Sequence, residues 1–488
     1  LDLIALPLLL GIVTLSLYWQ TSTHDFVNYD DSHYVTGVPE VLRGLSWRGV
    51  QWAFSFPMVN CPHPLAYISL MLDSTLYGNS ASGYLLTNVV LHAASTIVLF
   101  FLLAGATNRR WLSFGVAAIF AWHPTHAESV AWISERKDVL SVFFSLLTIA
   151  GYFNWVSHKR KYTYFLLVVL PFLCALFSKP SVVTLPCVLM LTDVWPLRRI
   201  GMAGPTANWF SNCREVVAAA FRYLPEKLAL FGMGAVISAL TWRLSEAYEV
   251  NAPWAQLPLG SRVIHAISAY AFYVSKFFVP LDLAALHIHP RQLPPVVEMC
   301  AWLCIFALIT VLSVKRLRPN PALLIGWLWF IGTLLPVSGI FQNGIQLVAN
   351  RYTYFPYIGL AIVVFFGLFD GVNARRGARA FCAAAIAGIW LCWIAWIAKT
   401  DAIPAWQNST SLWSKALSVN PHNEIALSAY AAALIGEKRY TEAFVYQEAA
   451  VRIAPYSVSM RRTLSELAAV LASRQDHNVP NQDDNGQK

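Results

Sequence analysis

Hydrophobic positions along the chain come in long runs separated by short polar stretches. Runs near membrane-spanning length lie at about 2–19, 83–104, 111–123, 138–156, 162–178, 180–195, 223–242, 263–280, 296–314, 322–341, 354–370 and 379–398. A helix needs roughly 20 apolar residues to cross a bilayer. The pattern therefore predicts an all-α polytopic membrane protein. The run at 111–123 is short and that at 180–195 contains Pro186. Both suit a bundle in which neighbours or a cavity satisfy the freed backbone groups. The first run has no basic flank and no small-residue cleavage site, so it reads as a retained span rather than a cleaved leader.

Composition agrees with the pattern. Of 488 residues, 57% are hydrophobic and 12% charged, against about 25% charged in an ordinary soluble domain. The net charge of +9 is carried in short clusters between apolar runs, which is topological information and excludes a continuous nucleic-acid-binding face. With Arg109–Arg110 in the cytoplasm, Lys159–Lys161 and Arg198–Arg199 also fall inside. Lys315–Arg318 and Arg375–Arg379 fall inside only if 263–280 does not cross. That segment holds His265 and Lys276, and we expect it to be re-entrant, interfacial or paired with a second short crossing. Eleven clear spans then put the N-terminus in the cytoplasm and the C-terminus outside. The stretches 20–82, 123–138, 244–262, 281–295, 341–353 and everything after 398 share the extracytoplasmic face. The eight cysteines form no CxxC pair and read as buried free thiols.

Past Lys399 the hydrophobicity drops. LWSKALSVNP (412–421) and YQEAAVRIAP (446–455) align at a spacing of 34 residues, pairing Ala416 with Ala450 and Pro421 with Pro455. That is the tetratricopeptide period; two unrelated amphipathic helices are the plain alternative. Little more than one repeat cannot bury a full core alone. The tail should therefore pack on the membrane domain or pair with a second copy. The chain divides into a membrane domain at 1–398, with its first external loop at 20–82, a helix-pair domain at 399–474 and a disordered tail at 475–488.

Four groups of residues could carry chemistry. In NYDDSHY (28–34), Asp30 and Asp31 follow the first span, with His33 close behind. A carboxylate held beside a nucleophile can take its proton, yet spacing alone favours a solvated turn. Adjacent residues of an extended chain point to opposite sides, so one Asp could face a cavity while the other caps or pairs. The loop HPTHAESVAWISERKD (123–138) gathers His123, His126, Glu128, Glu135, Arg136, Lys137 and Asp138. Arg136 and Lys137 at a helix start suit a phosphate; snorkelling side chains or an internal ion-pair network are the alternatives. The His spacing matches no standard zinc pattern. Polar residues also interrupt apolar runs. Asn88 and His92 share a helix face, and Asn88 reads as an interhelical hydrogen-bonding residue. Lys179 lies near the outer ends of two spans, which suits a phosphate role, and Asp193 reads as structural. Finally, NRYTYFPYIG (350–359) sets Arg351 among Tyr352, Tyr354 and other rings. This is an aromatic belt or a phosphate grip with a ring-lined groove. His63, before Pro64, ends a shaped loop.

NYDDSHYV, PHPLAYISLMLD, GYLLTNVVLH, HPTHAESVAWISERKDVLS, SKPSVVTLPCVLMLTDVWPL and NRYTYFPYIG occur in one order along the chain. With the C-terminal repeat, they resemble the transmembrane-and-tetratricopeptide O-mannosyltransferases, in their bacterial form. The resemblance covers about residues 20–470. It implies a GT-C-like bundle of about 11–12 transmembrane helices plus a short tetratricopeptide tail, in a bacterial inner membrane. It also implies an inverting transfer of a sugar from a polyprenyl-phosphate donor to a hydroxyl of an exported protein. On that resemblance Asp31 or Asp30 is the base, with Asp31 favoured. Arg136, Lys137, Lys179 and Arg351 bind the donor phosphate. His33, His63, His92, His123, His126, Glu128, Glu135, Asp138, Tyr352 and Tyr354 line the cavity. No cofactor is required, although a divalent metal could sit at the acidic pair. Partners are the lipid-linked donor, the exported acceptor and membrane lipid, without nucleic acid; the tail could support a homo-oligomer. A lipid or cell-wall glycan is the alternative acceptor, and a transporter or a repeat scaffold is the rival from another class.

Overall fold

The computed structural model describes residues 1–55, 63–200, 209–247, 258–288, 294–317, 319–340, 346–369 and 377–477. In chain order its main helices are α1 (Asp2–Thr23), α2 (Pro64–Tyr77), α3 (Ala81–Thr107), α4 (Arg110–Trp122), α5 (Ile133–His158), α6 (Lys161–Ser178) and α7 (Pro180–Val194). There follow α8 (Arg214–Leu244), α9 (Leu259–Phe278), α10 (Val296–Lys315), α11 (Pro321–Val337), α12 (Pro356–Phe369) and α13 (Ala378–Trp406). The tail is α14 (Ser409–Val419), α15 (Glu424–Gly436), α16 (Tyr440–Ile453) and α17 (Val458–His477). Among the described residues, α1, α3, α5, α6, α8, α10 and α13 are the seven helices long and apolar enough to cross a membrane. The chain is an all-α, multi-pass membrane protein. The shorter apolar segments α4, α7, α11 and α12 fall on four other predicted runs.

Residues 263–278 lie in α9, one continuous helix of 20 residues, about 30 Å long, and so do not fold back on themselves. Its polarity is absorbed by one face. His265, Ala269, Tyr273 and Phe277 are buried at every fourth position, and Lys276 donates to the Leu281 carbonyl past the helix end. Close helix pairing rests on missing side chains elsewhere. A Cβ on Gly326 of α11 would meet the Gly359 carbonyl of α12 at 2.5 Å, and one on Gly151 of α5 would meet the Leu167 carbonyl of α6 at 1.9 Å. Small residues let membrane helices touch backbone to backbone.

Two loops are joined by a short antiparallel ladder, β1 (His287–Ile288) with β2 (Gln346–Val348), with a break in register between its two partners. This ladder leads straight into the 350–353 turn. The described cysteines are free, but Cys187, Cys300, Cys304, Cys382 and Cys392 are exposed on the protein surface rather than buried. They point outward from membrane helices, where lipid tolerates a small apolar side chain as well as a core does.

The boundary expected at 398 falls inside α13, which continues to Trp406. Trp406, Leu412, Trp413 and Ala426 join the main hydrophobic core, so the tail packs on the membrane helices. The outer tail helices close a small core of their own around Ala431, Leu434, Ala443 and Leu467. Asn408 and Asn423 cap α14 and α15 by accepting from the amides of Ser411 and Ala426, satisfying donors that a helix start leaves free. Of the expected disordered tail, 475–477 are the last residues of α17 and 478–488 lie outside the described residues.

Candidate functional site

The two aspartates have different fates. The Asp31 side chain is buried, with 1% exposure. One of its oxygens accepts from the Val27 amide at 2.9 Å. The other accepts from the Ser134 amide at 3.1 Å and the Ser134 hydroxyl at 2.5 Å. Burial pushes the Asp31 carboxyl up to about 6, and the donors from Ser134 and Val27 pull against that rise. Asp31 thus pins the loop after α1 to the start of α5. Asp30 precedes a single turn, in which its carbonyl accepts from the amides of His33 and Tyr34 at 2.9 and 3.1 Å. It is partly exposed. Among the described residues its carboxylate makes no hydrogen bond or ion pair, and it lies within the electrostatic reach of Lys137.

Beside this loop, three cations converge on one carboxylate. Glu135 lies 3.3 Å from the Lys137 ammonium, 3.2 Å from that of Lys179 and 3.3 Å from the Arg351 guanidinium. Lys179 also meets Asp138 at 2.5 Å, and Arg351 pairs with Glu128. Asp138 accepts in addition from the Ser129 hydroxyl. Burial works against the Lys179 ammonium, but Asp138 and Glu135 outweigh it and hold its pKa above the usual range. Burial raises the Glu128 carboxyl against the pull of Arg351. Lys137 makes one close ion pair, with Glu135, and has Asp30 and Asp138 within its electrostatic reach. It shares Glu135 and otherwise rests over the rings of Tyr34 at 4.4 Å and Trp132 at 5.7 Å. Arg351 approaches the same Trp132 ring at 5.5 Å and that of Tyr352 at 5.2 Å.

A narrow slot opens beside this cluster. Its polar end is made by Lys179, Asp138, Arg351 and Tyr352; its walls include Val142, Val182, Val337, Phe355 and the Tyr354 ring. Ser141, Ser181 and Thr333 line it as well, so the cations stand beside a lining of mixed polarity.

Arg136 is not part of this surface. It is fully buried, and its nitrogens are spent on Asn88 Oδ1, the Ser69 hydroxyl at 2.7 Å, the Tyr84 carbonyl at 2.7 Å and Asp73 at 2.6 Å. Its role is to lock α2 and α3 to α5, with four of its five N–H donors engaged in the interior. Asn88 completes that lock by donating to the carbonyls of Val130 and Trp132. Asp73 is the partner that sequence reading passed over; a lone carboxylate in the apolar stretch LMLDSTL was its signal. Three histidines expected in the cavity are also packed in the interior. His92 bridges the Tyr354 hydroxyl and the Ala121 carbonyl, His123 reaches Thr125 and the Phe277 carbonyl, and His126 reaches the Phe120 carbonyl. His63 is buried against the Tyr34 hydroxyl at 3.2 Å; burial, with help from Lys137, holds its pKa well below the usual value. His33 is exposed one turn past Asp30. Among the described residues no three His, Cys, Asp or Glu side chains group as metal ligands.

The tail reaches the same place. Asn28 and Tyr29, just before Asp30, touch residues some 380 positions away. The Trp413 indole donates to Asn28 Oδ1 at 2.6 Å, the Asn28 amide side chain donates to the Ala429 carbonyl, and the Asn28 backbone amide donates to the Ser409 hydroxyl. Tyr29 stacks on Trp132 at 4.7 Å, and Trp406 also stacks on Trp132, at 5.0 Å. Nothing local in the sequence announced this contact.

No protein-family model matches the chain. Among curated proteins it is 24% identical to human protein O-mannosyl-transferase TMTC1 over an alignment of 501 positions, covering 92% of this chain and 55% of that protein. It is 29% identical to mouse protein O-mannosyl-transferase TMTC2 over 199 residues, 38% of this chain and 24% of that protein. The chain therefore spans about a quarter to half the length of these relatives. Its backbone resembles the crystal structure of the Archaeoglobus fulgidus oligosaccharyltransferase with a TM-score of 0.46 at 13% identity, over 88% of this chain and 60% of that one. By sequence, the chain is a relative of the protein O-mannosyl-transferases of the TMTC type.

Proposed function

We propose that the chain is a membrane glycosyltransferase that moves a sugar from a polyprenyl-phosphate donor to a Ser or Thr hydroxyl of an exported protein, with Asp30 as general base. One observation carries this reading. Among the described residues the Asp30 carboxylate has no hydrogen bond or ion pair and lies within the electrostatic reach of Lys137, which shares Glu135 with Lys179 and Arg351, and these two cations line a narrow slot. The similarity to protein O-mannosyl-transferases supplies the acceptor class. The site faces the extracytoplasmic side of a bacterial plasma membrane, where exported chains emerge.

The chemistry balances with these groups. The acceptor hydroxyl gives its proton to the Asp30 carboxylate as its oxygen bonds to the anomeric carbon. The bond from that carbon to the donor phosphate breaks, and polyprenyl phosphate leaves with the electron pair. Attack opposite the leaving group inverts the anomeric centre. The donor carries one negative charge as a diester and the product a second as a monoester. The protein must therefore meet a charge that grows during reaction, which preorganised cations in a water-poor site do well. Lys137, Lys179 and Arg351 are those cations. Glu135 holds them together before the donor arrives. A base and fixed positive charge suffice for this step without a metal ion.

Asp30, not the Asp31 favoured from sequence, takes the base role here, because Asp31 spends both carboxylate oxygens on Val27 and Ser134. The direct assay supplies labelled polyprenyl-phosphate sugars and exported proteins to the purified protein in nanodiscs. The expected product is sugar on Ser or Thr, found by mass spectrometry with wild type and absent with Asp30→Asn. Label that moves only into lipid-soluble or cell-wall glycan would reassign the acceptor. No transfer from any lipid-linked donor would remove the enzyme reading.

A further inference from the structure

The contacts of Asn28 with the tail have no explanation in the reaction as written. Asn28 is on the protein surface, where an asparagine is ordinarily satisfied by water. Here its backbone amide, its side-chain oxygen and its side-chain nitrogen are all engaged by the tail, through Ser409, Trp413 and Ala429. Asp25 adds a fourth link, its amide donating to the Gln407 carbonyl at 2.8 Å. Trp413 itself is buried, at 1% exposure, and its ring meets Tyr29 edge-on at 5.3 Å. The loop is thus held from two sides within seven residues. Asp31 is tied to α5 through Ser134, and Asn28 is tied to α14 and α15. Asp30 lies between the two ties.

We propose that the helix-pair tail is a positioning element of the reaction centre: Trp413 and its neighbours clasp Asn28 and thereby fix where the Asp30 carboxylate stands relative to the Lys137–Lys179–Arg351 group. The inference rests on the reading of Asp30 as base. It gives the tail a task besides acceptor binding. A group displaced by about 1 Å from its working position can cost up to about a hundredfold in rate, so hydrogen bonds from a distant tail can matter without touching substrate. Asn28 and Trp413 act through Asp30 and are positioning residues, not catalytic ones.

The test uses the full chain with Trp413→Phe, which keeps a buried ring and deletes the N–H donor, and Asn28→Ala at an exposed position, which keeps the fold if the first does not. Two readouts are taken. Turnover should fall about tenfold in each variant with the KM for acceptor unchanged, and the double variant should be no worse than the worse single one, because both remove one clasp. Backbone deuterium uptake in peptides covering 25–36 should rise in both variants, with α3 and α5 unchanged. A raised acceptor KM at constant turnover would overturn the proposal and make the tail an acceptor-docking surface. Unchanged uptake across 25–36 would also overturn it. If wild type transfers no sugar at all, the enzyme reading fails, while uptake still decides whether the tail holds the loop.

Discussion

α5 and α7 carry a buried charged cluster at each end, and the two clusters are built differently. At the far end, Asp193 accepts from the Tyr152 hydroxyl at 2.8 Å, Arg199 at 2.9 Å and Lys227 at 2.6 Å. Glu226 accepts from Arg199 at 2.7 and 2.9 Å and from Lys159 at 2.9 Å. Arg199 also lies on the Tyr223 ring at 3.8 Å. Each carboxylate there is surrounded by donors, and each cation has a carboxylate. At the near end, three cations share Glu135, Lys137 leans on rings, Asp30 stands unpaired among the described residues, and a slot leads away. Ionisable groups in membrane helices are expensive and so attract functional readings. The comparison shows that burial of charge alone does not separate a brace from a site. What sets the near end apart is a carboxylate, Asp30, without a hydrogen bond or ion pair among the described residues, and a slot lined by two of the cations.

The sharpest way to break the comparison is to remove one cation from each end. Lys137→Met should cut turnover by about 10²–10³-fold, the scale for losing one preorganised electrostatic group, and leave unfolding little changed. Lys227→Met should do the reverse. It strands Asp193 in the interior, which costs about 3–5 kcal/mol when a buried pair loses one partner, while turnover per folded molecule stays at the wild-type value. Thermal unfolding in detergent and a transfer assay read both. If Lys227→Met silenced turnover in folded protein, the far cluster would be more than a brace.

A pH series sharpens the contrast within the loop. The Asp31 carboxyl is raised by burial to about 6 in the fold, so the fold favours its protonated form. That contribution is complete below the unfolded value near 4 and is lost as pH rises through about 6. Relative to Asp31→Asn, wild type should therefore lose up to about 3 kcal/mol of stability between pH 4 and 7. A pH-independent difference would show that the carboxyl does not titrate there. The smallest effect belongs to the partly exposed pair of Lys415 and Asp401, at 2.5 Å. Lys415→Met should change stability by less than about 1 kcal/mol, because solvent screens such a pair.

Much of the membrane architecture was legible because it follows from periodicity and length. Every predicted apolar run became helix. Of the readings of segment 263–280, a re-entrant fold gives way to an unbroken helix whose buried stripe follows the four-residue spacing of His265, Ala269, Tyr273 and Phe277; that helix is not among those long and apolar enough to cross a membrane. The site was legible as a neighbourhood, since charges in HPTHAESVAWISERKD and NRYTYFPYIG stood out against apolar surroundings. Their individual roles were not, because these depend on partners distant in sequence. Arg136 and Lys137 are adjacent and both cationic, yet one is consumed by Asp73 and Asn88 and the other faces Asp30. Likewise, spacing could not tell Asp30 from Asp31; Ser134, about a hundred residues on, makes the distinction. The clasp on Asn28 joins the two ends of the chain and left no local trace.

The central claim is the division of labour between the adjacent aspartates, and measuring turnover and stability of Asp30→Asn and Asp31→Asn side by side tests it most directly. Asp30→Asn should lose about 10²–10⁴-fold in turnover, the range for a general base, with stability within about 0.5 kcal/mol of wild type. Asp31→Asn should lose about 1–3 kcal/mol of stability, the cost of leaving buried donors unmet, most at the acid end, and retain at least about ten times the turnover of Asp30→Asn. An active Asp30→Asn beside a folded, inactive Asp31→Asn would contradict the account.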